Sequence, residues 1–173
     1  EIEMPQTIQT QPPSTAEFEA AVAMRAHLTE QKTVLHALGY GGLIPFYALA
    51  AATAWGDPAT QGLAQSLLAI YAATIVSFIG GIAWAMALLT RPEAPHLTRN
   101  LLVWSVIPPL MAAACFFAPL PARLWLLVMV LALAWIADKR FAKALGLPSE
   151  WIQLRAALSL LAIGALSWAA SNA

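Results

Sequence analysis

Apolar residues fill most of the chain from residue 34 onward, broken only by short polar or proline-marked gaps. The blocks fall at about 34–54, 63–89, 101–118, 121–137 and 152–170. A helix needs about 20 apolar residues to cross a bilayer, and each block comes close to or exceeds that length. The pattern predicts an all-α integral membrane bundle of five transmembrane helices. The second block is long enough to tilt. The third and fourth are joined only by Pro119 to Pro121, which predicts a tight antiparallel hairpin.

The pattern before residue 34 is different. Residues 1–13, EIEMPQTIQTQPP, are rich in Gln, Thr and Pro and have no apolar period, so they cannot form a packed unit alone. Such an arm is expected to lie along a groove of a neighbouring subunit. Ser14 followed three residues later by Glu17 is a capping box, and it predicts a surface amphipathic helix over about 15–32. Phe18, Val22 and Leu28 are too few for a span. The domain organisation is therefore an arm and surface helix at 1–33 and a five-span bundle at 34–173. The sequence opens on Glu1, without an initiating methionine, and residues 1–33 have no continuous apolar core of the kind a signal peptide needs.

Inside the second block Ala69, Ala73, Ser77, Gly81 and Ala85 recur every fourth residue. On a helix they share a slowly drifting face, nearly flat, against which another helix can come close where lipid removes the usual hydrophobic drive. This block is the expected central post of the bundle. Gly81→Leu is expected to cost more folded protein than Leu88→Ala.

Two other stretches should bend. In span one Gly41 and Gly42 precede Pro45, whose ring clashes with the carbonyl four residues back. In span three Ser105 precedes Pro108 and Pro109, which together remove two backbone donors. The principal reading of both is structural. A pocket, if the bends make one, is expected between them, with Tyr40, Tyr71, Ser77 and Ser105 as its polar lining.

Composition supports the membrane reading: 60% of residues are apolar and 10% charged, with a mean hydropathy of +0.69. The zero net charge conceals an uneven distribution. Arg25, Lys32, Arg91, Arg99, Lys139, Arg140, Lys143 and Arg155 all fall on one side of the five-span topology, and Arg123 alone on the other. That bias predicts the amino terminus inside and the carboxyl terminus outside. Trp84, Trp104, Trp135 and Trp151 then lie toward the inner face and Trp55, Trp125 and Trp168 toward the outer, as an aromatic belt requires.

No span carries an ionisable residue near its middle, and Asp57 and Asp138 are expected at helix termini. This argues against a proton pump or ion-coupled carrier. His27, His36 and His96 all fall toward the inner side, unsuited to paired haem ligation. Cys115 lies in an apolar run and is expected to be a buried, inert thiol. No metal-ligand spacing, nucleophile elbow or phosphate loop occurs, and no basic patch points to nucleic acid.

The pieces LGYGGLIPF, YAATIVSFIGGIAW, WSVIPPL and LPSEWIQLRAALS, in this order over about residues 38–161, resemble the domain of unknown function 3429 family. This is a family of small multi-span membrane proteins of bacteria that includes transmembrane protein 69 of mitochondria. The resemblance implies an energy-transducing membrane, bacterial inner or mitochondrial inner, and no established activity. It also singles out Trp84, Asp138, Trp151 and Arg155 as motif positions. Many members have His or Arg before the tryptophan and Gly after it, where this chain has Ala83 and Ala85; losing that polar group weakens any case for chemistry there.

The expected function is a non-catalytic accessory or structural subunit of a larger respiratory or photosynthetic membrane complex. Its expected partners are membrane lipids and other integral membrane subunits, with no cofactor of its own. One alternative is a carrier or binder of a lipid, a quinone or another apolar small molecule, and a pigment held by a partner is a further compatible ligand. Another is an assembly factor for a membrane complex.

Overall fold

The computed structural model describes residues 31–90 and 95–173. The arm at 1–13 and most of the predicted surface helix lie outside the described residues. Five helices among those described are long and apolar enough to cross a membrane: α1 (Gln31–Trp55), α2 (Pro58–Leu88), α3 (Pro95–Phe117), α4 (Leu120–Ala144) and α5 (Ser149–Ser171). The protein is thus an all-α bundle of membrane-spanning character. The chain divides into two units at Leu38/Gly39. In the first, residues 31–38 are helical, and His36 Nδ1 donates to Lys32 O at 2.7 Å.

In the second unit, α2 packs against the Ile44–Trp55 part of α1, against α3 and against α4, while α5 packs on α1 and α4. At 31 residues α2 is about 46 Å long, well over the ~30 Å hydrocarbon core. The core is built from small and medium residues: Ala50, Leu68, Ala69, Ala72, Val76, Leu127, Leu131, Ala162, Ala165 and Leu166 are among its buried members. Alanine lets helix axes approach, and branched residues fill what remains. A smaller cluster of Ala83, Ala87 and Leu101, flanked by Trp104 and Phe141, joins α2, α3 and α4.

Several helices begin earlier or end later than the apolar blocks. Residues 58–62 were expected to be loop, yet α2 starts at Pro58. Asp57 caps it, its Oδ1 accepting from Ala59 and Thr60 N–H at 3.0 Å each and its Oδ2 from the Thr60 hydroxyl at 2.8 Å. Pro58 sits at the first helical position, where its missing N–H has no consequence. These bonds, chiefly that from the Thr60 backbone, hold the Asp57 carboxyl below its ordinary value. α3 opens on a proline too, Pro95.

α4 runs beyond residue 137 through Lys139, Arg140 and Lys143 to Ala144. It stops where Gly146 takes φ +65°. Gly146 N–H donates to Lys143 O at 3.2 Å and Leu147 N–H to Ala142 O at 2.9 Å, the paired bonds of a Schellman close. Asp138 consequently lies inside α4, not at its terminus. The turn between α3 and α4 is as tight as expected: the 3₁₀ turn Cys115–Phe117 ends α3, and Pro119 caps α4.

Candidate functional site

Three interhelical contacts hold several of the residues singled out by sequence. The first joins α1 and α2. Helix α1 is interrupted at Gly42 and Leu43 and resumes at Ile44 with Pro45 in its first turn. Leu43 N–H turns back to Tyr40 O at 3.0 Å. The Gly42 carbonyl accepts the Tyr71 hydroxyl of α2 at 2.8 Å, and Phe46 meets the Tyr71 ring edge-on with centroids 5.1 Å apart. A backbone group released by the interruption is thereby occupied from within the protein.

The second joins α2 and α3. A Cβ placed on Gly80 would collide with the Ser105 carbonyl oxygen and lie 3.0 Å from Pro109 Cδ. The cause is covalent. Pro109 has no N–H to give the Ser105 carbonyl four residues back, and that carbonyl faces the Gly80 backbone, where a Cα–H contact is the best donor on offer. Pro108 is buried beside it, and the helix continues through both prolines. Ser105 Oγ donates to Leu102 O of its own helix at 2.7 Å.

The small-residue face is packed within the bundle over only part of its length. Gly81 has nothing within 4 Å of where its Cβ would be, and Ser77, Gly81 and Ala85 are exposed, whereas Ala69 is buried and Ala73 half-buried. Steps of four residues drift by about 40° on a helix of 3.6 residues per turn, so five such positions spread over about 160°. The stripe starts in the core and leaves it. The close approach is one residue earlier, at Gly80.

The third joins α4 and α5. Arg155 Nε donates to Asp138 Oδ2 at 2.7 Å, with the two side chains only 15% and 11% exposed. Arg155 Nη2 is buried without a partner, as is Ser159 Oγ one turn further along α5. Of the other motif tryptophans, Trp84 is exposed on α2 and Trp151 half-buried at the start of α5. At the other end of the bundle Trp55 and Trp168 meet edge to face, centroids 5.4 Å apart.

Of the two bends between which a pocket was expected, the one at Pro45 is packed by α2. Tyr71 fills the first bend. Among the described residues a groove lies between α2 and α3 beside Pro109. It holds about 440 Å³ and is lined by Ile70, Ala73, Thr74, Ser77, Pro109, Ala112, Ala113 and Phe116. Its hydroxyls are turned inward: Thr74 Oγ1 donates to Ile70 O and Ser77 Oγ to Ala73 O, each at 2.9 Å. Cys115 is buried, its Sγ 3.2 Å from Met111 O.

Sequence reasoning treated Arg123 only as a topological exception. Its Nη2 donates to Ala118 O at 3.0 Å and Phe116 O at 3.3 Å, and its guanidinium carbon sits 4.7 Å from the Phe116 ring centroid. It closes the carbonyl end of α3. Its position four residues after a Pro-marked turn was the available signal.

Over residues 31–171 the chain matches the family described as "Protein of unknown function (DUF3429)". It belongs to that family. No curated protein and no solved structure matches it. The matched span takes in all three contacts, and Gly42, Tyr71, Gly80, Ser105, Asp138 and Arg155, which carried the resemblance, meet one another across helix pairs.

Proposed function

We propose that the chain is a non-catalytic accessory subunit of a larger respiratory or photosynthetic complex, held among other integral membrane subunits. In this reading it sits in a bacterial inner membrane, or the mitochondrial inner membrane, with its amino terminus inside and no cofactor of its own. The observation that carries the reading is the destination of the polar groups in the spans. Tyr71 is spent on Gly42, Thr53 on Leu49, Thr74 on Ile70, Ser77 on Ala73 and Ser105 on Leu102. The one described ion pair ties α4 to α5. The hydroxyls serve the bundle's own backbone and the ion pair joins two of its helices, which is what a scaffold requires and what a transport path or reaction centre would not use.

The later half of α2 supports the same reading. Ser77, Gly81, Trp84 and Ala85 are exposed there, giving a neighbouring helix low relief beside an aromatic anchor. The test is extraction in mild detergent followed by native electrophoresis, with the intact chain compared with one lacking residues 1–13. A subunit comigrates with a complex far larger than 18.5 kDa, and the truncated chain folds but comigrates less. A chain that migrates alone in both forms refutes the reading and returns the carrier alternative to first place.

A further inference from the structure

The α2–α3 groove and Arg123 are adjoining features that the scaffold reading leaves unused. The groove runs along two turns of each helix, from Ser77 and Pro109 at one end to Ile70 and Phe116 at the other. It is open to the surroundings of the bundle, apolar, and has no hydroxyl to spare. Its volume of about 440 Å³ is within the ~300–1,000 Å³ of small-molecule sites. At the Phe116 end the Arg123 guanidinium stacks on the same ring that lines the groove. Among the described residues no carboxylate pairs with Arg123, since the one ion pair there is Arg155 with Asp138. Its backbone bonds use donors and leave its positive charge uncompensated.

We propose that this groove holds one acyl chain of an anionic phospholipid whose phosphate pairs with Arg123. A guanidinium suits phosphate in geometry and charge, and Arg123 lies in the first turn of α4, next to the α3–α4 turn, where a headgroup would sit. The hydrocarbon chain then follows the Phe116, Ala113, Ala112 and Pro109 side of α3 into the bilayer. A net-negative headgroup is favoured over a zwitterionic one because no carboxylate among the described residues balances the cation.

The experiment is native mass spectrometry of the delipidated full chain titrated with phosphatidylglycerol or with phosphatidylcholine. Wild type is expected to take up one phosphatidylglycerol in preference to phosphatidylcholine. Arg123→Gln should weaken phosphatidylglycerol binding about tenfold or more, the scale of one lost hydrogen bond to a charged group, and Arg123→Lys should recover part of it. Arg123 also closes α3, so a second variant leaves it in place: Ala113→Phe, at an exposed position, fills the groove and should remove the preferred site. Arg140→Gln, near the opposite end of α4, should change nothing. Equal uptake of both lipids by wild type and Arg123→Gln would reduce the lipid to an unselective annulus. Loss in Arg140→Gln equal to that in Arg123→Gln would move the headgroup to the other face. A dimer that Ala113→Phe dissociates would make the occupant a second copy of the chain. Each of these three results overturns the proposal. None depends on whether the chain comigrates with a complex.

Discussion

Gly80 and Gly81 are neighbours with opposite surroundings. A Cβ at Gly80 meets backbone, the Ser105 carbonyl, which cannot rotate away as a side-chain tip can, whereas a Cβ at Gly81 meets nothing within 4 Å. Gly80→Ala should therefore lower the unfolding free energy by about 1–3 kcal/mol, the usual cost of overpacking. Gly81→Ala should stay within about 0.5 kcal/mol of wild type or improve on it through better helix propensity. Thermal unfolding of both in one detergent decides the matter, and equal melting temperatures would mean that α2 and α3 are further apart than described. Asp57 offers a second single-residue test. Its folded carboxyl titrates below the ordinary 3.8 because Thr60 and Ala59 donate to the charged form. A depressed folded value contributes stability that is complete above 3.8 and disappears as pH falls through the lowered value. Wild type should lose an increment of stability on acidification that Asp57→Asn, which caps without a charge, does not lose. Parallel pH profiles for the two proteins would show that the cap contributes nothing through its charge.

The five helices were legible at the scale of elements, because about 20 apolar residues in a row have few other uses. Their ends were less so. Apolarity marks where a chain enters hydrocarbon, but a helix continues until its backbone is capped: Lys139, Arg140 and Lys143 remain helical until Gly146 closes α4, and α2 begins at Pro58 because Asp57 is in place to cap it. The pairing of Asp138 with Arg155 was hidden for the same reason, since an early end to α4 leaves Asp138 in a loop. Now that both side chains are known to be largely buried between α4 and α5, removing one should be worse than removing both. Arg155→Leu strands a carboxylate and should cost about 3 kcal/mol, while Arg155→Leu with Asp138→Leu should recover much of that. A double-mutant cycle on thermal stability measures the coupling. Strictly additive effects would make the pair an incidental contact. Helix contacts were the least legible feature, because a repeat of four on a helix of 3.6 residues changes face along its length, and only Pro109 on the facing α3 shows why Gly80 is the residue that touches.

At the scale of the whole molecule, contacts between helix ends bear on the proposed orientation. Trp55 at the end of α1 meets Trp168 near the end of α5, and Asp138 late in α4 meets Arg155 early in α5. The Gly80 contact joins the later half of α2 to the earlier half of α3. Successive helices thus run in alternating directions, so Lys139, Arg140, Lys143 and the start of α5 share one end and the carboxyl terminus lies at the other. Arg155 is balanced by Asp138, but Lys139, Arg140 and Lys143 are exposed, and Arg123 at the opposite end is bonded to two carbonyls of its own hairpin. Positive charge held outside hydrocarbon on the cytoplasmic or matrix side is the arrangement that insertion favours. A reporter fused at Ala173 should accordingly read as periplasmic or intermembrane, and one inserted beside Gly146 as cytoplasmic or matrix. Opposite compartments in the reverse order would keep the five-span bundle and refute the proposed orientation. Both reporters in one compartment would refute the alternation itself, since α5 alone separates the two positions.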